Sequence, residues 1–280
     1  MRIIDGCPFR LTWLRVGCTA RSGPKMKSYD IWTPTEEPMM RREACPLCGA
    51  GLEMSELLLK TAKGYPLHQC CRCGLVFGVE LLDEEELDGI YDEEYAEHYC
   101  KPALIQQNRH YAEQFFADRP RGDLLEIGCG TGSMLKRLHE LGFNVEGLEL
   151  SKAMAAHVAE LPLIRGSIER LELSTYYGCY DYVVMFHVLE HLYDPVATVA
   201  KVFKLLRQGG LWFNYMPYIT KALRSRQSHI SKWIHFNPAD HREHINFFDE
   251  LTIIHLAEKG GFKVELLDSA ADDFWIWARK

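Results

Sequence analysis

The sequence predicts an α/β protein built on a doubly wound parallel sheet, with an antiparallel hairpin at its C-terminal end. The first indication is a short apolar strand, Asp123–Ile127, followed by a glycine-rich loop and an amphipathic helix. The second is the continued alternation of strand-like and helix-like segments, which is typical of parallel sheets covered by helices. The third is a pair of upstream Cys-x-x-Cys sequences, which predicts a small module ahead of the sheet.

Length and composition narrow the classes of protein. The 280 residues suffice for about two domains, and the contents of 47% apolar and 25% charged residues are ordinary for a globular protein. The net charge of −7 argues against a broad nucleic-acid surface. The chain shows neither an apolar run near the ~18 residues of a membrane span nor a secretion signal. We therefore expect a cytoplasmic protein without membrane contact, in which paired cysteines bind metal.

The segments around the cysteine module are predicted from their composition. Residues 1–43 show no sustained period and contain four prolines, so we expect a poorly ordered leader. Ten acidic residues and no Lys or Arg lie between Glu80 and Glu97, so residues 80–101 are predicted to form an acidic, partly helical linker. Residues 102–118 repeat apolar side chains at helical spacing, which predicts an amphipathic helix leading into the first strand of the main sheet.

The two cysteine pairs, Cys45 with Cys48 and Cys70 with Cys73, lie within residues 44–79 and resemble a zinc ribbon. Four thiolates complete a tetrahedral site without a position for water, so the zinc would be structural. We expect the core of this module to be separate from that of the main domain. Redox-active pairs are the alternative interpretation, but the βαβ context of thioredoxin-like proteins is absent.

The glycine-rich loop after the first strand predicts a cofactor site. It contains Gly128, Gly130 and Gly132. Glycine lets a ligand approach the backbone, and the following helix N-terminus favours a negative group. The third glycine comes one residue too early for a dinucleotide fingerprint, which argues against an oxidoreductase. With Glu126 two residues ahead, the motif Glu-x-Gly-x-Gly-x-Gly resembles motif I of the class I S-adenosylmethionine-dependent methyltransferases.

This resemblance covers roughly residues 45–280 and implies an overall plan. The main domain, residues 102–280, would be a Rossmann-like methyltransferase sheet with a C-terminal antiparallel hairpin, preceded by the small zinc ribbon. A lid insertion is expected at about residues 218–246, because loops of that length in compact domains usually cover or bind a ligand. The resemblance also implies that Tyr91 and Tyr95, in the acidic linker, fold near the cofactor.

Further cofactor contacts are predicted at the ends of the next strands. Glu149 ends the second strand, where a carboxylate accepts hydrogen bonds from both ribose hydroxyls. The family often places an acid after the third strand, but this chain has Ser167, so adenine recognition is assigned to Ser167 and the backbone of Ile168. The full predicted set for S-adenosylmethionine is Glu126, Gly128, Cys129, Gly130, Gly132, Glu149, Leu150, Ser167, Ile168 and Phe186.

A His-Val-Leu-Glu-His sequence follows the fourth strand, and its Leu-Glu-His before Asp-Pro resembles a motif of small-molecule methyltransferases. We expect His187, Glu190 and His191 to share one helical face, given their i, i+3, i+4 spacing. Three interpretations stay open: a structural buttress, a general base at His187 or His191, or a divalent-metal site like the Glu-x-x-Glu-His of ubiquinone-type O-methyltransferases. His244, in the lid, is a separate candidate base on the other side of the pocket.

The leading hypothesis is a methyltransferase that acts on an O, C or N atom of a metabolite, sugar or natural-product intermediate. The alternative is an RNA methyltransferase whose ribbon grips nucleic acid. Against it, the ribbon contains only Lys60, Lys63 and Arg72 as cations, too few for a phosphate-tracking surface. A binding module that has lost catalysis is disfavoured by the intact glycines and acids of the cofactor site. A small-molecule acceptor is therefore the expected partner, with no oligomeric state predicted.

Overall fold

The structure is a computed structural model that describes residues 41–61, 64–158, 160–218, 242–270 and 273–280. The predicted leader therefore lies almost wholly outside the described residues, and so do residues 219–241 of the predicted lid. Within the described residues, no helix is long and apolar enough to cross a bilayer.

The N-terminal module is an antiparallel sheet of three strands, β1 (Ser55–Lys60), β2 (Pro66–Cys70) and β3 (Val76–Gly78). The sequence predicts two strands here, at Tyr65 to Gln69 and Leu75 to Val79. Both are confirmed as β2 and β3, and β1 is additional. Gly49 and Gly74, each directly after a cysteine pair, have φ angles of 71° and 82°. Only glycine adopts this conformation readily, so these residues allow the chain to turn beneath the four thiols.

Three helices connect the module to the main sheet: α1 (Glu84–Ile90), α2 (Glu93–Tyr99) and α3 (Pro102–Phe116). α1 begins at a capping box, in which Asp83 accepts from the backbone of Glu86 and the Glu86 side chain accepts from the backbone of Asp83. This arrangement pairs N–H groups that a helix start leaves unsatisfied. α3 buries Ala112 and Phe116 and confirms the predicted amphipathic helix.

Five parallel strands form the centre of the main sheet: β4 (Asp123–Ile127), β5 (Asn144–Glu149), β6 (Leu163–Arg165), β7 (Tyr180–Phe186) and β8 (Leu206–Pro217). Their spatial order is β6-β5-β4-β7-β8. The chain therefore changes direction across the sheet between β4 and β7. In open α/β sheets, ligands bind at such a switch point, outside the carboxyl ends of the strands.

Helices cover both faces of this sheet, as a doubly wound fold requires. The helices that follow are α4 (Ser133–Glu140), α5 (Lys152–Ala155) and α6 (Pro195–Leu205). Phe116 of α3 and Leu135 of α4 are buried on one face together with Phe213 of β8. Val199 and Val202 of α6 are buried in a second cluster, on the other face. Burial on both faces explains why the central strands are almost continuously apolar.

β8 begins earlier than the sequence predicts. We expected it at Leu211, after a turn at Gly209–Gly210, but the strand starts at Leu206 and includes both glycines. Its pairing with β7 shifts register here, and Gly209 has a φ angle of 79°. The glycines therefore permit a bulge inside the strand. A bulge and a turn both favour glycine, so the sequence alone does not distinguish them.

The N-terminal module is continuous with the main domain. A two-residue strand, β9 (Asn246–Phe247), pairs antiparallel with β3 and becomes the fourth strand of the module's sheet. Leu75 and Phe77 of the module are fully buried and belong to the same hydrophobic cluster as Ile127 of β4. The expectation of a separate module core is therefore wrong, because the strand that follows the lid completes both units.

The chain ends in helix α7 (Glu250–Lys259) and the antiparallel strands β10 (Lys263–Ala270) and β11 (Asp273–Arg279). β11 pairs antiparallel with β8, so the complete sheet is mixed and has seven strands in the order β10-β11-β8-β7-β4-β5-β6. The predicted doubly wound sheet and its C-terminal hairpin are confirmed.

Candidate functional site

The glycine loop between β4 and α4 is held in a conformation that only glycine fits. Gly128, Gly130 and Gly132 have φ angles of 69°, 58° and 76°. A Cβ atom on Gly128 would lie 2.5 Å from a methyl group of Val188, and one on Gly130 would lie 3.2 Å from the Met154 methyl group. Because α4 begins directly after this loop, the unpaired N–H groups of its first turn lie at the same edge of the sheet. The loop is therefore free of side chains at its glycines, so a ligand could approach its backbone closely.

Glu149, at the end of β5, holds this loop in place. Its Oε2 accepts a hydrogen bond from the backbone N–H of Gly130 (2.7 Å), and its Oε1 accepts one from Ser151 (2.8 Å). The side chain is only 8% exposed, and burial raises its pKa although these hydrogen bonds oppose the rise. A carboxylate has about four lone-pair sites, so each oxygen retains capacity for one ribose hydroxyl.

Glu126, near the end of β4, is a buried carboxyl whose Oε2 has no hydrogen-bond partner among the described residues. Burial, and then the charge of Glu149, raise its pKa well above the usual value. A buried charge without a partner is unfavourable, so a cationic ligand group is its natural complement. S-adenosylmethionine carries two cationic groups, an ammonium and a sulfonium. The glycine cradle and this orphaned carboxyl together fit that cofactor.

The remaining predicted cofactor residues lie around the same edge. Cys129 is buried, and its Sγ would be 2.7 Å from a Cβ on Gly147, so it packs against β5. Leu150 is 46% exposed at the end of that strand. Ser167 and Ile168 already serve the local structure: the Ser167 hydroxyl accepts the N–H of Glu169 (3.2 Å), and the Ile168 carbonyl accepts Lys201 Nζ (2.6 Å).

Aromatic side chains from two parts of the chain complete the surroundings of the site. Phe186, the last residue of β7, stacks on Tyr215 with ring centroids 4.2 Å apart. Tyr91 accepts a hydrogen bond at its carbonyl from the Ser151 hydroxyl (2.9 Å), and its ring contacts that of Tyr95 at 5.2 Å. Tyr91 therefore lies beside the end of β5, and Tyr95 packs against it. Their proximity to the cofactor stays a prediction.

The segment after β7 is not helical at its start, so the expected shared helical face is wrong. His187 has a φ angle of 54°, which is uncommon for a residue other than glycine. Its N–H donates to the Tyr215 carbonyl (2.9 Å), which holds the chain in this turn. A short 3₁₀ turn, Leu189–His191, follows. The left-handed His187 separates the strand from this turn, so His187 and His191 do not lie on one helical face.

His187 forms a pair with Glu190. Its Nδ1 lies 3.2 Å from Glu190 Oε1, and 41% of the His187 side chain is exposed against 4% for Glu190. Desolvation alone would lower the pKa of His187, but the hydrogen bond and charge of Glu190, with a further contribution from Asp273, raise it overall. The second carboxyl oxygen of Glu190, Oε2, is buried without a partner among the described residues. His187 therefore favours its protonated form more than a free imidazole does.

A different trio from the predicted one comes together in space. One ligand atom each of Glu190, His191 and His244 lie within 4.8 Å of one another. The two imidazole rings are 4.6 Å apart. His191 Nδ1 donates to the Glu243 carbonyl (3.0 Å), which leaves its Nε2 with a lone pair. Two imidazoles beside a carboxylate suit either proton transfer or a divalent metal ion. No sequence periodicity links His244 to the other two residues.

The four predicted zinc ligands form a compact cluster. The Sγ atoms of Cys45 and Cys73 are 3.5 Å apart, those of Cys48 and Cys70 are 3.6 Å apart, and all four lie within 4.8 Å of one another. A tetrahedral zinc–thiolate site with bonds of about 2.3 Å has sulfur–sulfur distances of about 3.8 Å. The short contact between Cys45 and Cys73 lowers the pKa of Cys45 and raises that of Cys73, as expected when thiols are packed this closely. The donor set therefore fits zinc.

Comparison with known proteins gives one family. A family model described as a methyltransferase domain matches residues 93–267. A protein of Mycolicibacterium smegmatis named as an S-adenosylmethionine-dependent methyltransferase is 32% identical over 59% of this chain and 63% of its own length. A ubiquinone biosynthesis O-methyltransferase of Caulobacter vibrioides is 37% identical over 32% of this chain and 38% of its own. The chain thus spans less than two thirds of the length of these relatives.

Solved structures share the fold at low identity. A Haloferax volcanii methyltransferase, solved in complex with the Trm112 methyltransferase activator, superposes with a TM-score of 0.55 at 16% identity, over 71% of this chain and 99% of its own. A methyltransferase of Thermotoga maritima gives a TM-score of 0.51 at 19% identity, over 68% of this chain and 99% of its own. At these identities the likeness shows the fold alone.

The cysteine cluster leads to a prediction about metal and stability. The chain purified without added zinc should contain one zinc ion, and Cys48→Ser should lose it, by elemental analysis. Because the module shares its core with the main sheet, the zinc-free variant should melt at a lower temperature in a single transition. Cys71→Ser is the matched control, since Cys71 is exposed. A reversible disulfide without metal, or separate melting of the two parts, would contradict this account.

The buried carboxyls lead to a prediction about cofactor binding. Cationic S-adenosylmethionine should lower the raised pKa of Glu126, so binding in slightly acidic buffer should release up to about one proton. Calorimetry in buffers of different ionisation enthalpy measures this release, and Glu126→Gln should remove most of it. Glu149→Gln should weaken binding by about 1.5–3 kcal/mol, because it removes a charged acceptor.

The control for these variants is Glu146→Gln. Glu146 lies on the same strand as Glu149, but its carboxylate binds the Tyr180 hydroxyl (2.6 Å) instead of the loop. This variant should keep both the affinity and the proton release of the unmodified protein. If Glu149→Gln bound S-adenosylmethionine as tightly as the unmodified protein, the role of Glu149 would be refuted. If Glu126→Gln released as many protons on binding, the role of Glu126 would be refuted.

Proposed function

Because the chain belongs to the S-adenosylmethionine-dependent methyltransferase family, whose domain model matches residues 93–267, we propose that it methylates a small molecule. The observation that carries this proposal is the glycine cradle bounded by two buried carboxyls, Glu126 and Glu149, at the switch point of the sheet. Such a site suits a cationic nucleoside. The matched relatives that are named as ubiquinone biosynthesis O-methyltransferases support a small acceptor.

The proposed roles on the cofactor side follow from the geometry. The glycine loop and the start of α4 receive the amino-acid end of the cofactor, whose ammonium lies beside Glu126. Glu149 accepts the ribose hydroxyls while it holds Gly130. Leu150, Ser167 and Ile168 border the adenine. When bound, S-adenosylmethionine supplies a methyl group on a sulfonium, which is a good leaving group. The protein's main contribution is then to align the acceptor with that methyl group.

The acceptor side is proposed to lie at the end of β7, between Phe186 and the trio of Glu190, His191 and His244. His187, with its pKa raised by Glu190, is suited to donate a hydrogen bond. His191 is suited to accept a proton at Nε2, because its Nδ1 is held by the Glu243 carbonyl. A base is needed only for an acceptor that carries its proton at neutral pH. The same trio would bind a divalent ion if the acceptor were chelating.

Two further assignments complete the proposal. The ribbon zinc is structural, since four thiolates leave no open position. The described part of the ribbon contains only two cations, Lys60 and Arg72, and both are exposed. This surface gives no continuous path for a phosphate backbone, so RNA is not favoured as the acceptor. We place the protein in the cytoplasm, the reducing compartment in which paired cysteines usually bind metal.

The test is methyl transfer itself. The protein should pass labelled methyl groups from S-adenosylmethionine to a member of a panel of hydroxyl, amine and acidic C–H metabolites. Total RNA is included as a competing acceptor. His191→Ala should lose about 10²–10⁴-fold in turnover with normal cofactor affinity. Activity should fall at acidic pH if an imidazole acts as the base, because a protonated ring cannot accept a proton.

Controls separate a base from a metal ion. His139→Ala, at an exposed position of α4, should leave turnover unchanged. If the trio binds metal, a chelator should abolish activity without removing the ribbon zinc, and magnesium or manganese should restore it. Full turnover in both His191→Ala and His244→Ala, with no chelator effect, would refute a chemical role for either histidine. Transfer to RNA alone would refute the small-molecule proposal.

A further inference from the structure

A buried arginine connects the N-terminal module to the segment that carries His191. Arg42 is only 2% exposed, and its guanidinium donates four hydrogen bonds, all to backbone carbonyls. Nη1 donates to Gly78, at the end of β3 (3.2 Å), and to Ile245, just before β9 (2.8 Å). These two contacts hold the module's third strand and the chain that leaves the lid. Arg42 falls within the leader predicted from the sequence, where no local pattern indicates this role.

The other guanidinium nitrogen of Arg42 binds the loop directly after His191. Nη2 donates to the carbonyls of Leu192 and Tyr193, at 3.1 Å each. Glu169 binds the opposite side of the same loop. Its carboxylate accepts the N–H of Tyr193 (3.3 Å) and of Asp194 (2.7 Å).

These contacts fall on two successive peptide units. The first unit consists of the Leu192 carbonyl and the Tyr193 N–H, and the second of the Tyr193 carbonyl and the Asp194 N–H. Each unit therefore lies between a guanidinium at its carbonyl end and a carboxylate at its N–H end. We call this arrangement the Arg42–Glu169 clamp. Charge-assisted hydrogen bonds are shorter and stronger than neutral ones, and here both ends of each peptide dipole are matched by charge.

Arg42 stays charged at neutral pH. Burial lowers the pKa of Arg42 to about 10, and the charge of Glu169 opposes this fall. Burial raises the pKa of Glu169, whereas the N–H groups of Asp194 and Tyr193 oppose that rise. The structure thus maintains a partly buried ion pair whose partners are joined through peptide groups instead of touching.

The segment that follows His244 is bonded to Arg42 and to the turn that carries His191. The Ile245 N–H donates to the Glu190 carbonyl (2.9 Å), while its own carbonyl accepts from Arg42. The Asn246 amide donates to the carbonyls of Leu189 (3.2 Å) and Leu192 (2.7 Å). The turn that carries Glu190 and His191 and the segment that carries His244 are therefore connected through one backbone network.

We propose that Arg42 and Glu169 are positioning residues that hold His191 and His244 in register with Glu190. The hydrogen bonds of both residues fall on backbone groups of the clamped loop and, for Arg42, of Gly78 and Ile245, so each acts through that backbone. The catalytic meaning of this arrangement rests on the proposed function, but the positioning itself does not. The N-terminal module thereby has a specific role, because it supplies the sheet edge against which the histidine-bearing segments are aligned, and Arg42, just ahead of it in the chain, is bonded to that edge at Gly78.

Imidazole NMR of the full zinc-loaded chain tests the proposal. The probes are the ¹⁵N resonances of His191 and His244, assigned with His191→Gln and His244→Gln. Arg42→Lys keeps the charge but lacks the planar fork that binds four carbonyls. Glu169→Gln keeps an acceptor but removes the charge. In each variant the ring resonances of at least one of the two histidines should shift, because the clamp sets the 4.6 Å separation of the two imidazoles and the hydrogen bond of His191 to the Glu243 carbonyl. The Nδ1–H signal of His191 should weaken.

The control is Arg207→Lys. Arg207 binds Asp123 and Asp181 at the amino ends of β4 and β7, at 2.6 Å each, far along the sheet from the clamp. The Arg207→Lys variant should leave the resonances of both imidazoles unchanged. In all three variants, the zinc content and the affinity for S-adenosylhomocysteine should stay within about twofold of those of the unmodified protein. If Arg42→Lys fails to fold, Glu169→Gln decides the question.

Two results would overturn the proposal: unchanged imidazoles in the folded clamp variants, or the same changes in Arg207→Lys. Its failure is distinguishable from failure of the proposed function. A protein that transfers methyl groups to no acceptor, but whose imidazoles respond to the clamp variants, would refute the function and keep the positioning. A protein that transfers methyl groups, but whose imidazole resonances are unchanged in both clamp variants, would keep the function and refute the positioning.

Discussion

The hydrogen bond from the Gly130 N–H to the Glu149 carboxylate is the contact on which the cofactor site depends. It joins a loop that has almost no side chains to the end of β5. A hydrogen bond to a charged group contributes about 1.5–3 kcal/mol, enough to select one conformation of a loop whose glycines have many. A second carboxyl, Glu126, is buried nearby, and its Oε2 has no hydrogen-bond partner among the described residues. The site is thus ordered before binding and electrostatically complete only with a cationic ligand.

A second constraint lies on the acceptor side, where the chain leaves β7 through a left-handed His187. No helix starts there, so other parts of the molecule must hold the functional groups. Glu190 holds His187, the Glu243 carbonyl holds His191, and β9 fixes the residue after His244 against the N-terminal module. The module is therefore connected to the main domain through its sheet and through a shared hydrophobic cluster.

Local patterns predicted most of the fold and placed most of the candidate site residues at one edge of the sheet, where their binding roles stay predictions. The β4 strand, the glycine loop and the acids at the strand ends lie within a few residues of one another, where periodicity and residue type suffice. Arg42, β9 and the approach of His244 to Glu190 are long-range pairings that no local pattern encodes. The Gly209–Gly210 pair was predicted as a turn because a bulge and a turn use the same positive φ angles. The adenine side stays a prediction, since the Ser167 hydroxyl is engaged by the N–H of Glu169 and the Ile168 carbonyl by Lys201.

The central claim is that the two buried carboxyls and the glycine loop form the binding site of a methyl-donor nucleoside. A crystal structure of the protein with S-adenosylhomocysteine tests it most directly. The account predicts the ribose hydroxyls within hydrogen-bond distance of Glu149, the ammonium beside Glu126, and an unchanged bond between Gly130 and Glu149. A nucleoside bound elsewhere, or one that leaves Glu126 without a partner, would contradict it.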